Sequence, residues 1–242
     1  MNIIKVNATE SSNTFARDWY QTNKNSEAVC IWVKEQTAGR GQRGASWQSN
    51  TGQNLTFSIV YPAPVVEIDS QFLLSQAVGL GVLEALQKCK IGNLNLKWPN
   101  DILSAGFKIG GILIENIWSN GKIAASVIGI GLNVNQISFA ELPKASSMKL
   151  VSGRNFELQE VLELLLNKIK TNLDQVQNRK IQLRQSYEKS LFRKDKVSTF
   201  ELPNGKLLSG IIRGVTSGGL LKVQVEDEHI RTFDLKELKL LF

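Results

Sequence analysis

The chain has 242 residues, 42% hydrophobic and 21% charged, with a formal net charge of +7; that is enough apolar material for one large domain, or a main domain with a small companion. No apolar run is long enough to span a bilayer and no signal-type pattern opens the chain; Cys30 and Cys89 are too few and too isolated for a disulfide framework, so a reducing, cytoplasmic setting is expected. Residues 1–150 carry 13 basic and 10 acidic groups and residues 151–242 carry 16 and 12, which argues against the clustered basic face of a nucleic-acid binder, and a single histidine, His229, leaves His-based triads and His-rich metal sites without material.

Ile3, Ile4 and Val6 make a short opening strand. Ser11, Ser12 and Asn13 then precede Phe15 and Trp19 at helical spacing, so one of the three caps a helix. A helix start with free N–H groups and hydroxyls also suits a carboxylate or polar ligand. Val29, Ile31 and Val33 alternate as a strand. It runs into Gln36-Thr37-Ala38-Gly39-Arg40-Gly41-Gln42-Arg43-Gly44, with Trp47 beyond. Gly39, Gly41 and Gly44 satisfy G-x-G-x-x-G, but the dinucleotide fingerprint needs a helix directly afterwards, and Ser46 to Asn54 is polar and turn-rich. What remains is an arginine-bearing loop whose N–H and guanidinium groups could close over an anion, with Trp47 as a flat stacking surface.

Leu55, Phe57, Ile59 and Tyr61 form the next strand, ended by Pro62 and Pro64. Asp69 or Ser70 caps a helix to about Cys89, with Phe72, Leu73, Ala77, Leu80, Leu83 and Leu86 facing the core. The stretch from Lys97 to Glu115 organises the rest. Leu94 and Leu96 deliver Lys97 and Trp98 to a turn at Pro99, and Ser104 and Gly106 reverse the chain. Lys108 to Glu115 then returns as a strand, bringing Lys97, Asn100, Asp101 and Lys108 together. Gly110 and Gly111 inside that strand mark close approach by a ligand or another backbone. Cations, a carboxylate and bare backbone suit a phosphate with its metal ion; the bland alternative is a polar surface hairpin. Residues 122–130 form another strand, running into Gly131 and Asn133 at a strand end. One helical stripe is expected from Phe156 to about Leu191, and several short strands from Val197 onward suggest a small barrel.

In this order, Ser11-Ser12-Asn13, Gln36 with Gly39-Arg40-Gly41, Trp47, Lys97-Trp98-Pro99-Asn100-Asp101, Lys108-Ile109-Gly110-Gly111-Ile112-Leu113 and residues 129–135 resemble the biotin protein ligases over nearly the whole chain. The resemblance implies an α+β fold: a mixed β-sheet packed with helices, like class II tRNA synthetases and lipoate ligases, followed by an SH3-like barrel. It places a catalytic domain at residues 1–191 and the small domain at 192–242. It implies two steps, with biotin and Mg-ATP giving biotinyl-5′-AMP and a lysine of a biotin carboxyl carrier domain then taking the biotinyl group. ATP and Mg²⁺ are co-substrates, and no tightly bound prosthetic group is expected. Some relatives begin with a DNA-binding helix-turn-helix; this chain opens at the catalytic strand, so no operator binding is expected. Exposed strand edges could pair two copies into a homodimer.

The same resemblance assigns Lys108, Arg40 and Asp101 to catalysis. Lys108 would neutralise the two anions that meet in adenylation, and Asp101 would orient either a metal or the incoming amine. Ser11, Ser12, Gln36, Gly39, Arg40, Lys108 and Gly111 would hold biotin. Arg40, Gln42, Arg43, Trp47, Lys97, Asn100 and Asn133 would serve the nucleotide. The family loop often carries arginine where Gln42 stands and a basic residue where Ala45 stands, with Arg43 as the substitute here. A lipoate or other acyl ligase on the same fold is the neighbouring alternative, and a non-catalytic nucleic-acid-binding module the distant one; the glycine–arginine loop and Lys97-Trp98-Pro99 favour biotin.

Overall fold

The computed structural model describes residues 1–24, 27–139, 142–226 and 229–242, with the side chains of Arg43 and Ile68 outside the description. A seven-stranded sheet is built from β1 (Asn2–Thr9), β2 (Val29–Gln36), β3 (Leu55–Pro62), β4 (Leu94–Lys97), β5 (Asp101–Ser104), β6 (Phe107–Ser119) and β7 (Lys122–Leu132). Its order is β1-β2-β3-β7-β6-β5-β4. Only β1 and β2 run parallel, because the crossover helix α1 (Ser12–Thr22) separates them; the other neighbours are antiparallel.

Period-two alternation divides the sheet into two faces. On one face Val29, Ile31, Val33, Val60, Ala125 and Val127 pack beneath Ala16 and Tyr20 of α1. On the other, Leu55, Phe57, Ile59, Ile128 and Ile130 meet α2 (Phe72–Lys88), α4 (Leu158–Asp174) and α5 (Lys180–Ser190). The helix α2 is apolar nearly all round and accordingly buried, with twelve residues from Leu73 to Leu86 inside. A short α3 (Met148–Ser152), capped by the Ser147 hydroxyl accepting from Leu150 N–H, follows β7 after a connecting stretch and has no counterpart in the hydrophobic pattern.

Two expectations change. The single helix read from Phe156 to Leu191 is two helices, α4 and α5, parted by a turn at residues 175–179. Val176 stays buried at that turn, so the apolar stripe continues across a break in the backbone. The C-terminal strands β8 (Val197–Glu201), β9 (Leu207–Val215), β10 (Leu221–Gln224), β11 (Ile230–Phe233) and β12 (Lys239–Leu241) form an antiparallel sheet in the order β11-β10-β9-β8-β12. It is consistent with an SH3-like domain, but among the described residues no ladder joins β11 to β12, so the sheet is not closed into a barrel. The strand β12 was not expected; three residues are too short for a periodic signal.

The two sheets share one core. Phe200, Ile212, Val215, Leu221, Val223 and Phe233 of the second, with Leu238 just before β12, belong to the cluster that contains α2, α4 and α5. The Trp98 indole Nε1 donates to the Gly219 carbonyl at 2.8 Å, and Phe192 N–H donates to Leu96 O at 2.8 Å. No helix among the described residues is long and apolar enough to cross a membrane.

Candidate active site

A cleft of about 250 Å³ opens on the α1 face of the large sheet. Its floor is bare because β7 presents Gly129 and Gly131, and β6 presents Gly111, on that face. The indole of Trp47 lies flat on Gly131, where an added Cβ would sit 2.2 Å from Trp47 Cε2. The side chain of Asn13 fills the space over Gly129, where a Cβ would meet Asn13 Oδ1 at 2.3 Å. Any side chain on those two glycines would displace the groups that line the cleft.

The glycine–arginine loop folds over this floor. Trp47 N–H donates to Gly39 O at 2.9 Å and Gly41 N–H donates to Ala45 O at 2.6 Å. A single 3-10 turn, Gln42–Gly44, stands where a dinucleotide-binding helix would have to begin. The side-chain oxygen of Gln42 and the indole N–H of Trp47 are both buried without a protein hydrogen-bond partner, so each can still bond a polar group in the cleft.

One end of the cleft is polar and neutral. Ser11 occupies the N-cap position of α1 but makes no side-chain cap bond, so its hydroxyl stays available. Ser12 N–H donates to Gln36 Oε1 at 2.7 Å. Behind them lies Ser58, fully buried, with its Oγ 2.8 Å from Ser12 Oγ and 2.6 Å from Asn13 Oδ1.

The other end is charged. The β4–β5 turn, whose Trp98–Pro99 peptide is cis, sets Asp101 between two lysines. Lys97 Nζ lies 2.9 Å from Asp101 Oδ2 and Lys108 Nζ lies 2.6 Å from Oδ1. Burial pushes the Asp101 carboxyl upward, but the two ammonium groups and their hydrogen bonds outweigh it and hold the carboxyl below its ordinary value. Lys108 is fixed at its backbone as well: its N–H donates to Lys144 O at 2.7 Å and its carbonyl accepts from Ser146 N–H at 2.8 Å. Its ammonium lies 5.7 Å from the centroid of the Trp47 ring. Asn100 spends its side-chain amide on the Ile112 carbonyl at 2.8 Å, so it holds the turn as well as lining the cleft. Two cations around one carboxylate leave a net positive site suited to an anionic substrate.

The cleft thus brings together Ser11, Ser12, Gln36, Arg40, Gln42, Trp47, Lys97, Asn100, Asp101, Lys108 and Gly111. Gly39 stands behind the loop, in a shallow depression shared with Glu115. Asn133 does not line the cleft; it is buried, and its Nδ2 donates to Ser146 O at 2.9 Å, which gives it the work of bracing the backbone beside Lys108. The Arg43 side chain expected at the nucleotide lies outside the described residues. Among the described residues no three His, Cys, Asp or Glu side chains converge, and the one carboxylate lining the cleft is engaged by both lysines. That donor set does not make a protein-held Mg²⁺ site.

Sequence reasoning assigned no role to Ser58, Glu115 or Leu235. Glu115 accepts from Asn13 Nδ2 at 2.7 Å and lies 3.4 Å from Arg40 Nη2, while Leu235, in the segment between β11 and β12, reaches the cleft wall. The available signal for Ser58 was a small polar residue between Phe57 and Ile59, on the sheet face that α1 covers.

Residues 6–133 match the biotin/lipoate A/B protein ligase family. The chain is 31% identical over 205 residues to the biotin--[acetyl-CoA-carboxylase] ligase of Mycobacterium tuberculosis, covering 82% of this chain and 74% of that protein. It is 30% identical over 148 residues to the bifunctional ligase/repressor BirA of Bacillus spizizenii, covering 60% of this chain and 45% of the relative. The fold superposes with a TM-score of 0.82 on the biotin protein ligase from Aquifex aeolicus in complex with biotin and ATP, at 25% identity, with 99% of this chain and 98% of that one covered. The ordered motifs, the cleft they build and these similarities together mean that the chain belongs to the biotin/lipoate A/B protein ligase family, among its biotin protein ligases.

Proposed function

We propose that the cleft joins biotin to ATP as biotinyl-5′-AMP and passes the biotinyl group to a lysine of a biotin carboxyl carrier domain. The observation that carries this is the polarity of the cleft: neutral hydrogen-bonding groups at the Ser12–Gln36 end and two lysines about Asp101 at the other. A ligand with an uncharged polar head and a carboxylate tail fits that gradient. Biotin's ureido ring takes the serine end, and its carboxylate lies toward Lys108.

In the first step a carboxylate oxygen forms a bond to the α-phosphorus and the bond to pyrophosphate breaks. Both reactants are anions, so Lys108 and Lys97 lower the cost of their approach and stabilise the charge on the transferring phosphoryl group. Mg²⁺ arrives with the nucleotide as part of the substrate. In the second step a lysine amine attacks the acyl carbon, AMP leaves with the electron pair, and the amine gives up a proton. The folded loop, with Trp47 beneath it, shields the mixed anhydride from water between the steps.

Biotin-dependent ATP–pyrophosphate exchange with Mg²⁺, run beside lipoate and octanoate, tests the reading. Exchange with biotin alone is the expected result. Exchange driven by lipoate or octanoate instead would overturn the substrate, and folded protein that exchanges with none of the three would overturn the chemistry.

A further inference from the structure

Glu115 does not itself line the cleft, yet it joins the serine end of the cleft to the glycine–arginine loop. Its Oε2 accepts from Asn13 Nδ2 at 2.7 Å and from Arg40 Nη2 at 3.4 Å, and its Oε1 lies 3.6 Å from Arg17 Nη2. Arg40 Nη2 also donates to Thr14 Oγ1 at 3.1 Å, which pins the loop arginine against the first turn of α1. The inner side of Asn13 continues the chain inward through Ser58, Ser12 and Gln36.

The direction of the protons along this chain is determined. An ionised carboxylate only accepts, so Asn13 must turn its NH₂ toward Glu115, where Leu113 O at 3.3 Å takes it as well. Asn13 Oδ1 is then an acceptor, and Ser58 spends its single hydroxyl proton on it. Ser12 in turn donates to Ser58, which leaves the Ser12 oxygen facing the cleft as an acceptor. Asn13, Ser12 and Ser58 are all buried, so water does not compete for these bonds.

We propose that Glu115 is a positioning residue with two outputs: it orders the Ser58–Ser12 chain so that Ser12 accepts an N–H from the ligand head, and it holds Arg40 so that the glycine–arginine loop stays closed. Head recognition and loop closure are thereby coupled through one carboxylate. The ligand assignment rests on the proposed biotin reading; the loop output does not.

Two sets of measurements test this. In ligand-free protein, hydrogen exchange at the Gly41 and Trp47 amides reads loop closure. Glu115→Ala and Glu115→Gln should each speed it roughly 10-fold, the usual scale for losing a charge-assisted bond. The double variant Glu115→Ala/Arg40→Ala should exchange no faster than Arg40→Ala alone, because Glu115 acts through Arg40. In biotin-dependent pyrophosphate exchange, Glu115→Ala and Ser58→Ala should raise KM for biotin roughly 10-fold. Glu115→Gln, which keeps an acceptor for Asn13, should keep KM within about 2-fold while releasing preformed biotinyl adenylate roughly 10-fold faster. Ser58→Ala should leave exchange at the Gly41 and Trp47 amides of ligand-free protein at the wild-type rate, because Ser58 bonds Ser12 and Asn13 and not the loop. Wild-type loop exchange in both Glu115 variants, or a full Glu115→Ala effect added to Arg40→Ala, would overturn the proposal. If the wild type fails to exchange with biotin, the ligand assignment falls, and the loop measurement still decides the role of Glu115.

Discussion

Replacing Gly131 by alanine isolates what the Trp47 contact is worth. The backbone of Gly131 lies outside the left-handed region, so alanine suits the strand; its methyl, however, would lie 2.2, 2.5 and 2.6 Å from three atoms of the indole. Ordinary contact begins near 3.5 Å, so the ring must lift by about 1 Å. A tryptophan buries roughly 150–250 Å², of which one face is about a third, so about 50–80 Å² of contact is lost. At ~25 cal/mol per Å² that is about 1–2 kcal/mol, or a closed-loop population lower by roughly 5- to 30-fold. The cost falls on the loop, so the denaturant midpoint of the whole protein should barely move while exchange at the Trp47 and Gly41 amides accelerates. Ligand affinity measured by calorimetry should fall by the same factor. The control is the Trp47→Ala background, in which Gly131→Ala should be silent. Unchanged amide protection in Gly131→Ala, or an equal effect in the Trp47→Ala background, would refute the reasoning.

The Asp101 carboxyl is held below its ordinary value in the folded chain, so its stabilising contribution is complete above the unfolded value and is lost as pH falls through the folded one. The wild type should therefore be more stable than Asp101→Asn above about pH 4, by about 1 kcal/mol given the partial exposure of both lysines; the two melting curves should converge in stronger acid, and a constant gap would rule out charge as its origin. Trp98→Phe keeps the ring and removes the donor to Gly219, so it should cost about 1 kcal/mol in chemical denaturation; a loss above about 3 kcal/mol would mean that packing, not the hydrogen bond, dominates. Burial pushes the Cys30 thiol up to about 12 and the Cys89 thiol upward as well, so neither should react quickly with a disulfide reagent at pH 8 until the protein unfolds. Rapid labelling of Cys30 in native protein would contradict its burial.

Much of the fold was legible because its elements obey simple periods. Val29-Ile31-Val33 and Leu55-Phe57-Ile59 alternate, and the paired glycines and turn residues between Lys97 and Glu115 announce reversals. The helix boundary at residues 175–179 was not legible, because the apolar spacing continues through Val176 while the backbone turns. The openness of the C-terminal sheet was not legible either, since strand count does not determine closure. At the site, Lys97, Asp101 and Lys108 could be grouped because a local meander joins them. Glu115 could not be tied to Arg40 or Asn13: those contacts span 75 and 102 positions, and local pattern carries no information at that separation. Asn133 illustrates the converse. A polar residue at a strand end looks the same in sequence whether it faces a ligand or braces a neighbouring carbonyl.

The shared core bears on how this molecule comes apart. Autonomous modules joined by a polar seam can melt separately and pivot about one another. Here the sheet at 197–241 contributes Phe200, Val223 and Phe233 to the same apolar cluster as α2 and α5, and the turn that carries Asp101 hangs from it through Trp98. Cutting away the last sheet would expose the underside of α5 and loosen the turn that carries Asp101 together. The two parts should therefore unfold in a single cooperative transition, and the smaller one should serve as a wall of the cleft, through Leu235, more than as an appendage to it.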